Sequence, residues 1–194
     1  MIAAALELVG ERGPNAVTLG DVGQRVGTSH AAVLYHFRSR RELLLAVLEE
    51  RDRHTRSLLE HCFSEGGLAA LRRLADLGHG IQREPNFTKL AHVLQAETLE
   101  DDRVSRYFRA RYQYIRGGLA RTIRTGQQRG EIRDGFDVDA RAAEITAFMF
   151  GIAQQHFIDP DGVDVVTVYA DFVRHLIADV AVDASQVDRA PAAP

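Results

Sequence analysis

Cysteine is almost missing from this chain: Cys62 stands alone among 194 residues. A single cysteine cannot close an intramolecular disulfide, which removes the small disulfide-stapled class and fits a reducing compartment. Lysine is as scarce, with Lys89 its one representative among 24 basic residues. So strong an arginine bias reflects genome composition more than chemistry. No apolar run approaches the roughly 18 residues that a membrane-crossing helix needs. The opening segment, Met1 to Gly10, is apolar but has no basic leader, and Glu7 interrupts it. It reads as an amphipathic helix rather than a signal peptide. A cytoplasmic protein with no membrane partner is the expectation. Glycine-rich phosphate loops and nucleophile elbows are absent as well, so neither catalysis nor a cofactor is expected. The eight histidines include no pair four residues apart; His54 and His61 are seven apart, with Cys62 beside them. Metal-binding helices need the closer spacing, and no metal site is expected.

What remains is an ordinary globular composition, 45% hydrophobic and 26% charged, in a chain long enough for a sizeable core. The net charge of −3 argues against a uniformly basic nucleic-acid binder. Local charge tells more. Between residues 30 and 41 lie His30, His36, Arg38, Arg40 and Arg41, without one acid.

Nearly every segment has helical periodicity, and no alternating stretch is long enough to build a sheet, so the fold class is all-α. Helix 1 is expected over about 1–12, with Ile2, Ala5, Leu6 and Val9 on one face and Gly13-Pro14 as the stop. Thr18 should cap helix 2, with Asp21 near its positive end. Gly27 makes the turn into helix 3, about 29–36, capped by Thr28 or Ser29. Ser39 and Glu42 form a capping box that opens helix 4, about 40–63, with Leu43, Leu44, Val47, Leu48, Leu58 and Leu59 inward. After Gly66-Gly67, further helices are expected at about 68–83, 86–98, 102–129, 138–158 and 163–180. The residues from Asp183 to Pro194 form a tail expected to fray.

The chemistry concentrates in residues 18–42. Two short helices meet at Gly27, which is helix–turn–helix spacing. Such a unit can place its second helix in a DNA major groove. Val33 and Phe37 should pack inward against Val22 and Val26. His30, Ala31, Leu34 and Tyr35 then point outward. Ala31 permits close approach, Leu34 suits a thymine methyl, and His30 can bond a base edge or a phosphate. Tyr35, His36, Thr18 and Arg40 have polar groups suited to phosphates. The same spacing also occurs in proteins that never touch DNA, and Tyr, His and Phe at a helix end are often core.

The stretch resembles the N-terminal domain of the TetR family of transcriptional regulators. The matching residues are Ala4-Ala5-Leu6-Glu7-Leu8, Gly13, Thr18, Val22, Gly27-Thr28-Ser29, Tyr35-His36-Phe37, Ser39-Arg40 and Glu42-Leu43-Leu44. A fainter likeness continues through Gly126 to Arg133. The resemblance implies an all-α homodimer that represses transcription until a small molecule enters its second domain. It places Thr18, Thr28, Ser29, His30, Leu34, Tyr35, His36 and Arg40 on positions used around DNA. Leu34 stands where the family often has tyrosine, and Arg40 where it often has lysine.

On that basis residues 1–46 are expected to form the helix–turn–helix domain, followed by a larger helical ligand-binding and dimerisation domain over 47–182. Ala143, Ala147, Gly151 and Gln154 on one helix, with Val168, Phe172 and Leu176 on another, are candidates for a four-helix dimer interface. Closing the domain's own core is the other role open to them. Phe87, Leu90, Leu94, Phe108, Tyr112, Ile115, Phe148, Met149 and Gln155 are candidates to line an effector pocket, although ordinary core is the commoner fate of any one of them. The partners expected are a palindromic double-stranded DNA operator, a second copy of the chain and a small-molecule effector. The alternative is a small-molecule sensor that has lost specific DNA recognition.

Overall fold

The structure is a computed structural model that describes residues 1–96, 102–183 and 185, without the side chains at 54, 55, 57, 58, 61 and 62. The expected helix end near Glu97 to Asp101, the inward Leu58, the His54, His61 and Cys62 side chains and nearly all of the tail lie outside the described residues. Ten α-helices are described: α1 (Ile2–Arg12), α2 (Leu19–Val26), α3 (His30–His36), α4 (Arg40–Ser64), α5 (Gly67–Arg73), α6 (Leu77–Arg83), α7 (Pro85–Gln95), α8 (Asp102–Gln128), α9 (Val138–Ile158) and α10 (Val165–Val180). Short 3-10 turns occupy Pro14–Ala16 and Leu74–Asp76. Among the described residues there is no strand, only one isolated antiparallel bridge between Ile132 and Ala181. The all-α expectation holds. No helix among them is long and apolar enough to cross a membrane.

The chain forms two compact units. The first comprises Met1–Arg56 with Glu84–Arg109, and the second Ser57–Arg83 with Ala110–Pro194. In the first, α1 buries Ala4, Ala5, Leu8 and Val9, a face turned slightly from the expected one, since Ile2 and Leu6 are only half-buried. Val17, Val22, Val33, Leu43, Leu44, Val47 and Leu48 complete this core. Helix α7 packs on α1 and on the Pro14–Ala16 turn. Its Asn86 side-chain amide donates to the Gly10 carbonyl at 2.7 Å, which satisfies an oxygen that the end of α1 leaves without a helical donor.

The second unit has its own core, built from Leu68, Leu71 and Leu74, from Ile115, Leu119 and Ile123 on α8, from Ile145 on α9, and from Val173, Leu176, Ile177 and Val180 on α10. The segment expected as one helix over 68–83 is broken by its 3-10 turn. Beyond the break, Gly78 comes so close to α10 that a Cβ would stand 3.0 Å from the Val165 carbonyl oxygen. Only a residue without a side chain permits that approach. Asp137 and Asp164 cap α9 and α10, each accepting from two main-chain N–H groups.

Candidate nucleic-acid interface

The start of α2 is a reciprocal capping box. The Thr18 hydroxyl accepts from the Asp21 N–H at 3.1 Å, and the Asp21 carboxylate accepts from the Thr18 N–H at 2.8 Å. The hydroxyl also donates to the same carboxylate, at 2.5 Å. These bonds hold the Asp21 carboxyl below the usual carboxylate range, with Arg12 adding a smaller pull. Gly27 ends α2 in the left-handed conformation, at φ 71° and ψ 32°, which glycine adopts without a Cβ penalty. The Thr28 N–H then returns to the Gly23 carbonyl at 2.8 Å, and Ser29 caps α3 by accepting from the Ala32 N–H at 3.1 Å. Arg25 ties α2 to α1, reaching Glu11 at 2.8 Å and Glu7 at 3.2 Å. The turn between α2 and α3 is fixed within a few residues, and α1 is tied to α2 by the Arg25 ion pairs.

On α3, Val33 is fully buried and Phe37 is half-buried at the helix end, while His30, Ala31 and His36 are exposed. Leu34 is 43% and Tyr35 86% exposed. Together they leave an adjoining aliphatic and aromatic side chain open to water on one short helix. The Tyr35 ring stands edge-on to His36, with centroids 5.5 Å apart. Thr18 and Ser29 are each engaged as helix caps. Thus α3 presents His30, Ala31, Leu34 and Tyr35 on one outward stripe, a chemistry of small, apolar and hydrogen-bonding groups that suits a base-pair edge.

Two expectations need correction here, and one candidate is found engaged by the chain itself. Val26 is not a core residue; it is 39% exposed. It ends α2, where the chain turns away through Gly27, and periodicity does not say where a helix loses its neighbour. The box at the start of α4 is only half formed. Ser39 Oγ accepts from the Glu42 N–H at 3.1 Å, but the Glu42 carboxylate takes the Arg38 N–H at 2.8 Å instead of that of Ser39. Arg40 is also not a freely extended cation. Its Nε donates to the Val17 carbonyl at 2.8 Å and its Nη2 to the Pro14 carbonyl at 2.5 Å.

The other candidates fall in both units. In the first, Leu90, Leu94 and Phe108 are buried, and Phe87 lies against Gly10 with the Arg51 guanidinium 5.3 Å above its ring. In the second, Ile115 belongs to the core and Tyr112 meets Phe150 edge-on at 4.7 Å. Phe148 stacks on Phe172 at 3.6 Å. Met149 is half-buried and Gln155 exposed. On α9, Ala143, Ala147 and Gln154 are exposed and Gly151 half-buried; a Cβ on Gly151 would meet nothing within 4 Å. Val168 and Phe172 are half-buried on α10. Leu176, expected to face a second copy, is 5% exposed and spent in the unit's own core. Sequence reasoning passed over one exposed residue of the head, Arg38. Its place in the acid-free run is visible in the sequence, but that its guanidinium has no partner among the described residues is not.

Comparison with known proteins gives two family matches. The profile of bacterial regulatory proteins of the tetR family covers residues 1–47, and that of the C-terminal part of BetI-type transcriptional repressors covers 69–181. The chain is 42% identical over 62 residues to the class G tetracycline repressor protein of Vibrio anguillarum, a match over 31% of this chain and 30% of that protein. It is 26% identical over 187 residues to the probable HTH-type transcriptional regulator ArpR of Pseudomonas putida, over 86% of this chain and 82% of that one. Its fold is similar to that of a transcriptional regulator from Saccharomonospora viridis solved in complex with choline. The TM-score is 0.74 at 24% identity, covering 94% of this chain and 96% of the other.

Proposed function

The chain belongs to the TetR family of bacterial transcriptional regulators, and we propose that it is a cytoplasmic, non-enzymatic repressor released from a palindromic operator by a small-molecule effector. The observation that carries the reading is the outward stripe of α3, held by caps and by a buried Val33 so that Tyr35 stays 86% exposed. In this reading residues 1–46 are the DNA-binding part. His30, Ala31 and Leu34 read base edges, while Thr18, Thr28, Ser29, Tyr35 and His36 lie along the sugar–phosphate backbone.

Residues 47–182 bind the effector and a second copy. Ala143, Ala147 and Gly151 recur four residues apart along α9 and lack the bulk that would hold another helix away, with Gln154 on the same face. Across a two-fold axis the same row meets itself, flanked by Val168 and Phe172. Leu176 supports α10 from inside instead. A dimer of this kind presents two α3 helices to half-sites about 34–36 Å apart. The effector acts by binding one spacing of the heads better than the other, which shifts the population away from the DNA-competent state. Tyr112, Phe148 and Met149 are the half-buried, mostly apolar groups that suit a ligand in the second unit. Helix α7, joined to α1 through Asn86, is the element of the first unit best placed to pass strain to the head.

Fluorescence anisotropy against the gene's own upstream intergenic DNA tests the reading. Saturable binding that a palindromic competitor removes and random DNA does not is the expected result. Tyr35→Ala should weaken it, and Ala147→Glu should give monomers in sedimentation and lose cooperative binding. Equal affinity for random DNA sinks the reading. A thermal-shift screen of small molecules, choline included, followed by the same titration, identifies the effector as the compound that both raises the melting temperature and releases the DNA.

A further inference from the structure

Two arginines follow α3 closely, and the structure uses them differently. Arg40 has its guanidinium across both ends of the Pro14–Ala16 turn, on the Pro14 and Val17 carbonyls. The Pro14 oxygen closes the 3-10 turn with the Val17 N–H at 3.5 Å, and neither oxygen has an α-helical donor. Val17 is fully buried, and the residue after it, Thr18, caps α2. The arginine fork therefore fixes the entry of the chain into the first helix of the reading motif. Arg38 has the opposite setting. It is exposed, and its guanidinium has no ion pair or hydrogen bond among the described residues. Glu42, the nearest acid in sequence, is already engaged. One carboxylate oxygen takes the Arg38 main-chain N–H at 2.8 Å, and the other takes Nη1 of Arg103 at 2.7 Å. Arg103 thus offsets a charge that would otherwise repel a phosphate beside this turn.

We propose that Arg38 supplies the phosphate-binding cation at the exit of α3, and that Arg40 is a positioning residue that holds the Pro14–Val17 turn and the start of α2. The proposal rests on the DNA-binding reading above. It makes an asymmetric demand on chemistry. A phosphate contact needs a positive charge, which lysine also supplies, whereas the reach of Nε and Nη2 from one edge of the guanidinium to two carbonyls is a geometry that a lysine ammonium does not reproduce atom for atom.

The test uses the full-length protein, a labelled duplex that the wild type selects from a random library, and anisotropy titrations over a range of salt. Amide hydrogen exchange of the DNA-free protein, read at Asp21 and Val22, reports the start of α2. Arg38→Gln is expected to flatten the plot of log affinity against log salt by about 0.9 for each phosphate that the variant no longer neutralises. Arg38→Lys should restore the slope, and exchange should stay as in the wild type. Arg40→Gln and Arg40→Lys are both expected to weaken binding about tenfold, to keep the wild-type slope and to speed exchange at Asp21 and Val22. A slope that falls in Arg40→Gln and recovers in Arg40→Lys overturns the proposal, as does an unchanged slope in Arg38→Gln. If the wild type selects no duplex, the DNA reading falls and the Arg38 role with it. Unaltered exchange in both Arg40 variants removes the Arg40 role by itself.

Discussion

In the head, Thr18 and Asp21 lie three residues apart, as do Ser29 and Ala32, and these short bonds fix both helix starts. The second unit caps α9 and α10 as locally, but its core is also tied by bonds between distant segments. Glu131 accepts from the Leu68 N–H across 63 residues, and Arg133 pairs with Asp179 across 46. The aromatic pair Phe148 and Phe172 joins two different helices. The contrast teaches what each region is built to do. Short-range caps make a small unit rigid, as a reader of fixed groove geometry must be. Packing between distant helices can settle into more than one arrangement, as a unit that answers to a ligand must.

The largest expected effect breaks the comparison on the head side. Val22 is fully buried there, and Val22→Asp would place an unpaired carboxylate in the core at a cost of about 4 kcal/mol or more. DNA binding should vanish and the amides of α1 to α3 exchange quickly, while Ile123 and Ile145 amides in the other unit stay protected. Loss of protection in both units would show that the head has no stability of its own. Next comes Leu119→Ala, which empties a fully buried site of the second core. It should cost about 3 kcal/mol, seen by thermal unfolding, and leave the exchange pattern of the head unchanged.

The smallest effect sharpens the comparison, because both regions use the same device. Asp21 is held below the usual carboxylate range by Thr18, and Asp164 by Thr167. A carboxyl lowered on folding contributes stability above its unfolded value, near pH 4, and loses it as pH falls through the folded one. Thr18→Ala, which removes the cap itself, should lower the melting temperature by about 2–4 °C at neutral pH, and Thr167→Ala, which leaves the Asp164 cap in place, by less. Below about pH 4 the two variants should converge on the wild type. A deficit that persists undiminished in acid would mean that the hydroxyl alone carries the cap.

The legibility of the chain follows the same division. Thr18, Gly27 and Ser29 announce themselves because each solves a local problem, an orphan N–H or a positive φ, with one residue type. Helices α8 and α9 are legible to within a residue because Gly130, Asp137 and Asp159 punctuate them. The 3-10 break after Arg73 is not, since it answers to the close approach of Gly78 and Val165 and not to its own sequence. Val26 misleads for a related reason. A helical wheel gives a direction, but the neighbour that fills that direction, or fails to, comes from elsewhere in the chain.

The amino-acid order by itself determined the all-α class, the caps and turn of the reading motif, and an α3 whose outward residues suit a groove. These rest on interactions of three or four residues' reach, which sequence spacing specifies directly. Only the tertiary structure decided that the Arg40 guanidinium is committed to carbonyls while that of Arg38 has no partner among the described residues, that α7 docks on α1, and that Leu176 turns inward. Each of these depends on groups distant in the chain, whose positions follow from the sum of core packing and not from any local pattern.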